Sequence, residues 1–179
     1  MAIHIQTAQI VDNALPRFKE NGRFWENRQD RFHCGVDIYA PHKSPVYAIE
    51  TGRIVSIHPF TSPLILAYWN NTIAVVLEGE SGYLYKYAEL ESAEVDIGDC
   101  VQCGDNLGRV GRVLNVNHID CRAPEYIQQL KENKHPSMLH FEVYKHRPYI
   151  LDFYSGGNLF SDHKPEHLCD PAIVLNRQF

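Results

Sequence analysis

What this chain lacks narrows its class first. No apolar run approaches the ~20 residues that a membrane-spanning helix requires, because polar residues interrupt every hydrophobic stretch. The start, Met1-Ala2-Ile3-His4-Ile5-Gln6, is too broken by polar groups for the apolar region of a secretory signal. The expectation is a cytoplasmic protein, or a periplasmic or extracellular one if another route exports it. Positive charge is scarce as well: 17 Lys and Arg stand against 22 Asp and Glu, a net charge of −5, and no block of Lys or Arg gives nucleic acid a footprint. Cysteines lack the spacing of a disulfide framework. Five of them, at 34, 100, 103, 121 and 169, make an odd set, and Cys100-Val101-Gln102-Cys103 has neither a second pair nor a βαβ context.

What is there fits one folded domain. The 179 residues are enough for a real core, and 44% hydrophobic against 22% charged residues excludes a disordered chain. Two short stretches carry the chemistry. If His33-Cys34-Gly35-Val36-Asp37 runs extended, positions i and i+4 share a face, so His33 and Asp37 point the same way and Gly35 leaves room for an ion between them. In Met138-Leu139-His140-Phe141-Glu142-Val143-Tyr144, alternation turns Leu139, Phe141 and Val143 to a core and Met138, His140, Glu142 and Tyr144 to the other side. His140 can then meet His33 and Asp37. Two imidazoles and one carboxylate suit Zn²⁺, with bonds of roughly 2.0–2.2 Å and a fourth position left for water.

The context of these residues resembles a known family. His33-x-Gly35-x-Asp37-Ile38 is followed by Pro45-Val46-x-Ala48-x-x-x-Gly52-x-x-Val55, then Asn71-x-Ile73-x-Val75, Tyr85-x-Tyr87-Ala88-x-Leu90 and Val95-x-x-Gly98-Asp99-x-Val101-x-x-Gly104-x-x-Leu107-Gly108. Leu139-His140-Phe141-Glu142-Val143 completes the order. Over residues 30–175 this is similar to the lysostaphin-type (LytM-type) zinc metallopeptidases. The resemblance implies a mainly β, antiparallel sandwich or barrel-like domain of the duplicated hybrid motif type. It also implies zinc held by His33, Asp37 and His140, and a peptide or peptidoglycan-derived substrate. Two of the family's active-site histidines are replaced, one by Glu89 and one by Met138.

Those departures leave two readings of function. In the first the chain is an endopeptidase with Glu89 as general base, since a carboxylate beside a zinc-activated water can serve that role. His118, Arg122 and His135 are then candidates to replace what Met138 cannot do. In the second, Glu89 is a fourth protein ligand, the zinc site is closed, and the domain is an inactive scaffold or interaction module.

Along the chain, residues 1–29 read as a lead-in segment, with a strand expected at Ile3–Ile10. Leu64–Trp69 and Thr72–Leu77 read as a hairpin about Asn70-Asn71. On a strand from Tyr83 to Leu90, alternation places Glu89 on one face with Tyr83, Tyr85 and Tyr87. Residues 112–136 interrupt the family pattern and contain a helix over Ala123–Lys134, whose Ile127 and Leu130 form a narrow apolar stripe. An insertion beside a metal site acts as a lid, a specificity loop or a surface for a protein partner.

Overall fold

Alternating Val, Ile, Leu and Tyr positions separated by Gly and Pro favour strands over helices, and strands dominate. A computed structural model describes residues 21–134, 136–147 and 149–175. The expected strand at Ile3–Ile10, and His135, lie outside the described residues.

In chain order the strands are β1 (Phe32–His33), β2 (Val36–Tyr39), β3 (Pro45–Tyr47), β4 (Gly52–Pro59), β5 (Ile73–Gly79) and β6 (Leu84–Ala93). They continue with β7 (Cys100–Val101), β8 (Asn106–Val110), β9 (Met138–Tyr144), β10 (Tyr154–Ser155), β11 (Asn158–Leu159) and β12 (Leu168–Cys169). The helices are α1 (Glu125–Glu132) and α2 (Ala172–Leu175). Nine strands form an antiparallel sheet in the order β12-β9-β6-β5-β4-β7, with β2 paired to β9 and β8 paired to both β6 and β3. The sheet does not close into a barrel. A small second sheet, β1-β11-β10, stands beside it. Among the described residues no helix is long and apolar enough to cross a membrane.

All seven residues of β9 are buried, because both of its faces are covered. On one face Leu139, Phe141 and Val143 join the main core with Val36, Ile38, Tyr87 and Leu90. On the other, Met138 and Tyr144 enter two separate apolar clusters, with His140 and Glu142 between them. Each fully buried Leu or Phe is worth roughly 1.5–3 kcal/mol. The register of β9 is therefore strongly fixed, since a slip of one residue would exchange its two faces.

Three sequence expectations change. Residues 33–37 are not one extended strand: His33 ends β1 in the small sheet and Asp37 lies on β2 in the large one. Gly35 sits at the break, where an added Cβ would stand 2.4 Å from the Phe141 carbonyl oxygen, so glycine admits the β9 backbone and not an ion. Leu64–Trp69 is not a strand. β5 pairs with β4 instead, and residues 60–72 form the loop between them, closed by Thr61–Thr72 hydrogen bonds.

The third change concerns Glu89. Strict alternation would send Glu89 into the core with Tyr85 and Tyr87. Instead the β5–β6 register slips, with Ile73 opposite Leu90 but Val75 opposite Tyr87, one residue more on β6 than on β5. Glu89 sits in this bulge at φ 64°, a conformation uncommon for a residue with a side chain. The bulge returns Leu90 to the core and turns Glu89 away from it.

Candidate metal centre

The antiparallel register sets Asp37 of β2 directly opposite His140 of β9, and β1 brings His33 in from the small sheet. The distances are 3.1 Å from His33 Nε2 to Asp37 Oδ1, 2.9 Å from His140 Nδ1 to the same oxygen, and 3.1 Å between the two ring nitrogens. A tetrahedral ion with bonds of about 2.0–2.2 Å has edges of about 3.3–3.6 Å. The three atoms therefore stand within a few tenths of an ångström of that spacing.

The outward atom of each group is tied off. His33 Nδ1 donates to the Arg23 carbonyl at 2.8 Å, which leaves a lone pair on Nε2. His140 Nε2 donates to Glu142 Oε1 at 2.8 Å and leaves its lone pair on Nδ1. Arg28 Nη2 donates to Asp37 Oδ2 at 3.1 Å, so Oδ1 faces inward. Three acceptors thus converge on one point, a donor set that fits a divalent cation of the zinc type. Outward hydrogen bonds of this kind fix the tautomer and orientation of metal-binding imidazoles.

Glu142 is itself held firmly. It accepts from Lys86 Nζ at 3.1 Å and from the Tyr144 and Tyr154 hydroxyls. Burial alone would raise its pKa, but the Lys86 charge and the His140 bond outweigh that and hold it well below the usual carboxylate range. In the metal-free chain burial pulls His140 down, yet the bonds to Asp37 and Glu142 win and raise its pKa to about 9. Burial and the Arg28 charge push His33 the other way, so it stays neutral. One proton between Asp37 and His140 thus holds the metal-free site together.

Glu89 and Met138, which the resemblance sets in place of two histidines, share one cleft. Glu89, Met138, Asp37, His140, Arg28 and Tyr126 all line it, and it encloses about 360 Å³ including its mouth. Glu89 lies outside the group of His33, Asp37 and His140 atoms that lie within 4.8 Å of one another. Its Oε2 is buried with no hydrogen-bond partner, and burial together with the Asp37 charge pushes its pKa up to about 8. Met138 packs with Trp69, Val113, Leu114, Ile127 and Leu130. Residues of the insertion therefore occupy the surroundings of Met138, and α1 forms a wall of the cleft. Gly156, in the loop before β11, also lines the cleft, Phe60 stacks on the His140 ring, and Gly157 lies close against that ring.

Of the replacements expected from the insertion, the two among the described residues are elsewhere. Arg122 is 87% exposed and bound to Asp120, and His118 is exposed with its Nδ1 on the Ala67 carbonyl. Sequence reasoning missed Arg28 and Glu142. Glu142 was legible in principle, because alternation puts it beside His140. Arg28 carried no local signal, since its place beside Asp37 depends on how residues 22–31 turn.

Residues 31–151, more than half of the chain, match peptidase family M23. No curated protein matches. Among solved structures, the catalytic domain of the antimicrobial peptidase lysostaphin from Staphylococcus simulans is similar at 20% identity and a TM-score of 0.51, over 87% of each chain. A structure of lysostaphin from the same organism gives 21% identity and a TM-score of 0.56, over 99% of this chain and 56% of that one. LytU gives 17% identity and a TM-score of 0.52, over 93% and 88%. At these identities the likeness shows the fold, and the family match adds the lineage: the chain belongs to peptidase family M23.

Proposed function

We propose that this chain is a zinc-dependent endopeptidase acting on peptides of the bacterial cell-wall type, with Glu89 as its general base. The observation that carries the reading is the convergence of three lone pairs from His33, Asp37 and His140, each with its outward atom already engaged. When bound there, zinc supplies Lewis-acid polarisation of the scissile carbonyl and acidification of a water to near neutrality.

The protein's own groups do the rest. Asp37 and the two imidazoles fix the geometry, and Lys86, Tyr144 and Tyr154 keep Glu142 ionised so that His140 keeps its tautomer. Glu89 takes a proton from the attacking water at Oε2 and returns it to the leaving amine. A positive ion at the triad favours the carboxylate form that this role requires, against the burial that otherwise keeps Glu89 protonated up to about pH 8. Because Glu89 stands outside the three-atom group, an open coordination position is favoured over the closed four-ligand site.

The test is cleavage of a panel of glycine-rich and wall-derived peptides by zinc-loaded and chelator-treated protein. Activity is expected only with the metal, and Glu89→Gln is expected to lose about 10²–10⁴ in kcat, the usual range for a general base. Zinc-loaded protein inert across the panel would contradict the reading.

A further inference from the structure

Replacing two family histidines leaves two roles to fill, and Met138 can fill neither, because a thioether donates no hydrogen bond. We propose that Arg28 is the missing donor, and that its guanidinium binds the oxyanion formed on the substrate carbonyl. The inference rests on the peptidase reading above.

Arg28 reaches the cleft from the segment before β1, and its side chain is only 7% exposed. Nε donates to Glu26 at 3.0 Å, Nη1 to Asn158 at 3.1 Å and Nη2 to Asp37 at 3.1 Å. A guanidinium has five N–H groups. Among the described residues these bonds use three, so one hydrogen on each terminal nitrogen remains. The Tyr126 ring of α1 lies over the guanidinium at 4.4 Å and holds its plane. The orientation is therefore set before any substrate arrives.

Charge and position both single out this residue. Of the described groups lining the cleft, Arg28 alone is a permanent cation, and it lies beside Asp37 in the same cleft as Glu89. Lys86 is committed behind His140, where it meets Glu142 and Tyr154. In the reaction the water oxygen bonds to the carbonyl carbon, its proton goes to Glu89, and the carbonyl π pair moves onto oxygen. That oxygen is the acceptor for the free Arg28 N–H groups. Collapse restores the C=O bond, breaks C–N, and sends the Glu89 proton to the nitrogen. A fixed donor in a dry cleft acts most strongly where charge develops.

Arg28 also holds Asp37, so the experiment has to separate transition-state binding from ligand positioning. Zinc affinity by chelator competition, and affinity for a tetraglycine phosphinate and for plain tetraglycine by calorimetry, are measured on wild type, Arg28→Met and Arg28→Lys. Arg28→Met releases Asp37 Oδ2 and is expected to lower zinc affinity about 10–100-fold; with zinc saturating both proteins, tetraglycine affinity is expected to be unchanged while phosphinate affinity falls about 10²–10³-fold, the usual cost of losing one oxyanion donor. Arg28→Lys, a charge without the planar fork, is expected to recover part of that loss, and it carries the comparison if Arg28→Met does not fold. Equal phosphinate affinity in wild type and the zinc-saturated variants would overturn the proposal, as would phosphinate and tetraglycine affinities that fall in step. Zinc-loaded wild type that ignores the phosphinate would overturn the peptidase reading, and this inference with it.

Discussion

A methyl group at Gly157 would stand 2.5 Å from the His140 ring, at a backbone φ of 78° that side chains rarely adopt. Gly157→Ala is therefore expected to cost about 1–3 kcal/mol, from overpacking and backbone strain together. Because the ring that would have to move is His140, zinc affinity is expected to fall several-fold as well. A urea midpoint combined with chelator competition reads both effects, and a variant weakened in neither would show that the loop does not hold the imidazole. Glu89 makes the complementary case. Its φ of 64° carries of order 1–3 kcal/mol of strain, and its unpartnered Oε2 adds a desolvation cost. Strain and an unmet acceptor at one residue are what a functional position tolerates and a structural one removes.

Among the elements, the insertion and Met138 belong together. Ile127 and Leu130 of α1 pack in the cluster that holds Met138, with Trp69 brought in from the 60–72 loop. Met138→His, which would install the residue that the resemblance expects there, would place an imidazole among apolar side chains. The expected result is a loss of about 1–3 kcal/mol, the cost of a buried polar group without a partner, and no gain in rate. Thermal unfolding and peptide cleavage measure the two, and a stable, faster variant would contradict this packing. The helix was legible in the sequence because the spacing of Ile127 and Leu130 and the terminal Pro and Lys residues are local signals. So were the two strands that carry Asp37 and His140. The bulge at Glu89 was not, because it is set by the pairing of β6 with β5 and β8, which no period of two reveals. The family resemblance, not alternation, pointed Glu89 at the cleft that it lines. The break after His33 escaped in the same way, since it comes from pairing with β11, more than a hundred residues away.

For the whole molecule, the triad joins the small sheet, through His33, to the large one, through Asp37 and His140. A cation there would tie the two together, and a ligand bound only by the folded state at 100 times its Kd adds about 2.7 kcal/mol of stability. The proton it replaces gives the pH dependence its sign. In the metal-free protein His140 is raised from 6.5 to about 9, so its contribution to stability is complete below about pH 6.5 and is lost as pH rises through about 9. Zinc competes with that proton, and its apparent affinity is expected to climb up to about tenfold per pH unit until pH reaches about 9. The direct measurement is a zinc titration of the metal-free protein at pH 7 and pH 8, repeated with His140→Ala. The account predicts one zinc per chain, tighter binding at pH 8, and loss of the site in the variant. Protein that takes up no zinc, or a variant that binds it as wild type does, would contradict it.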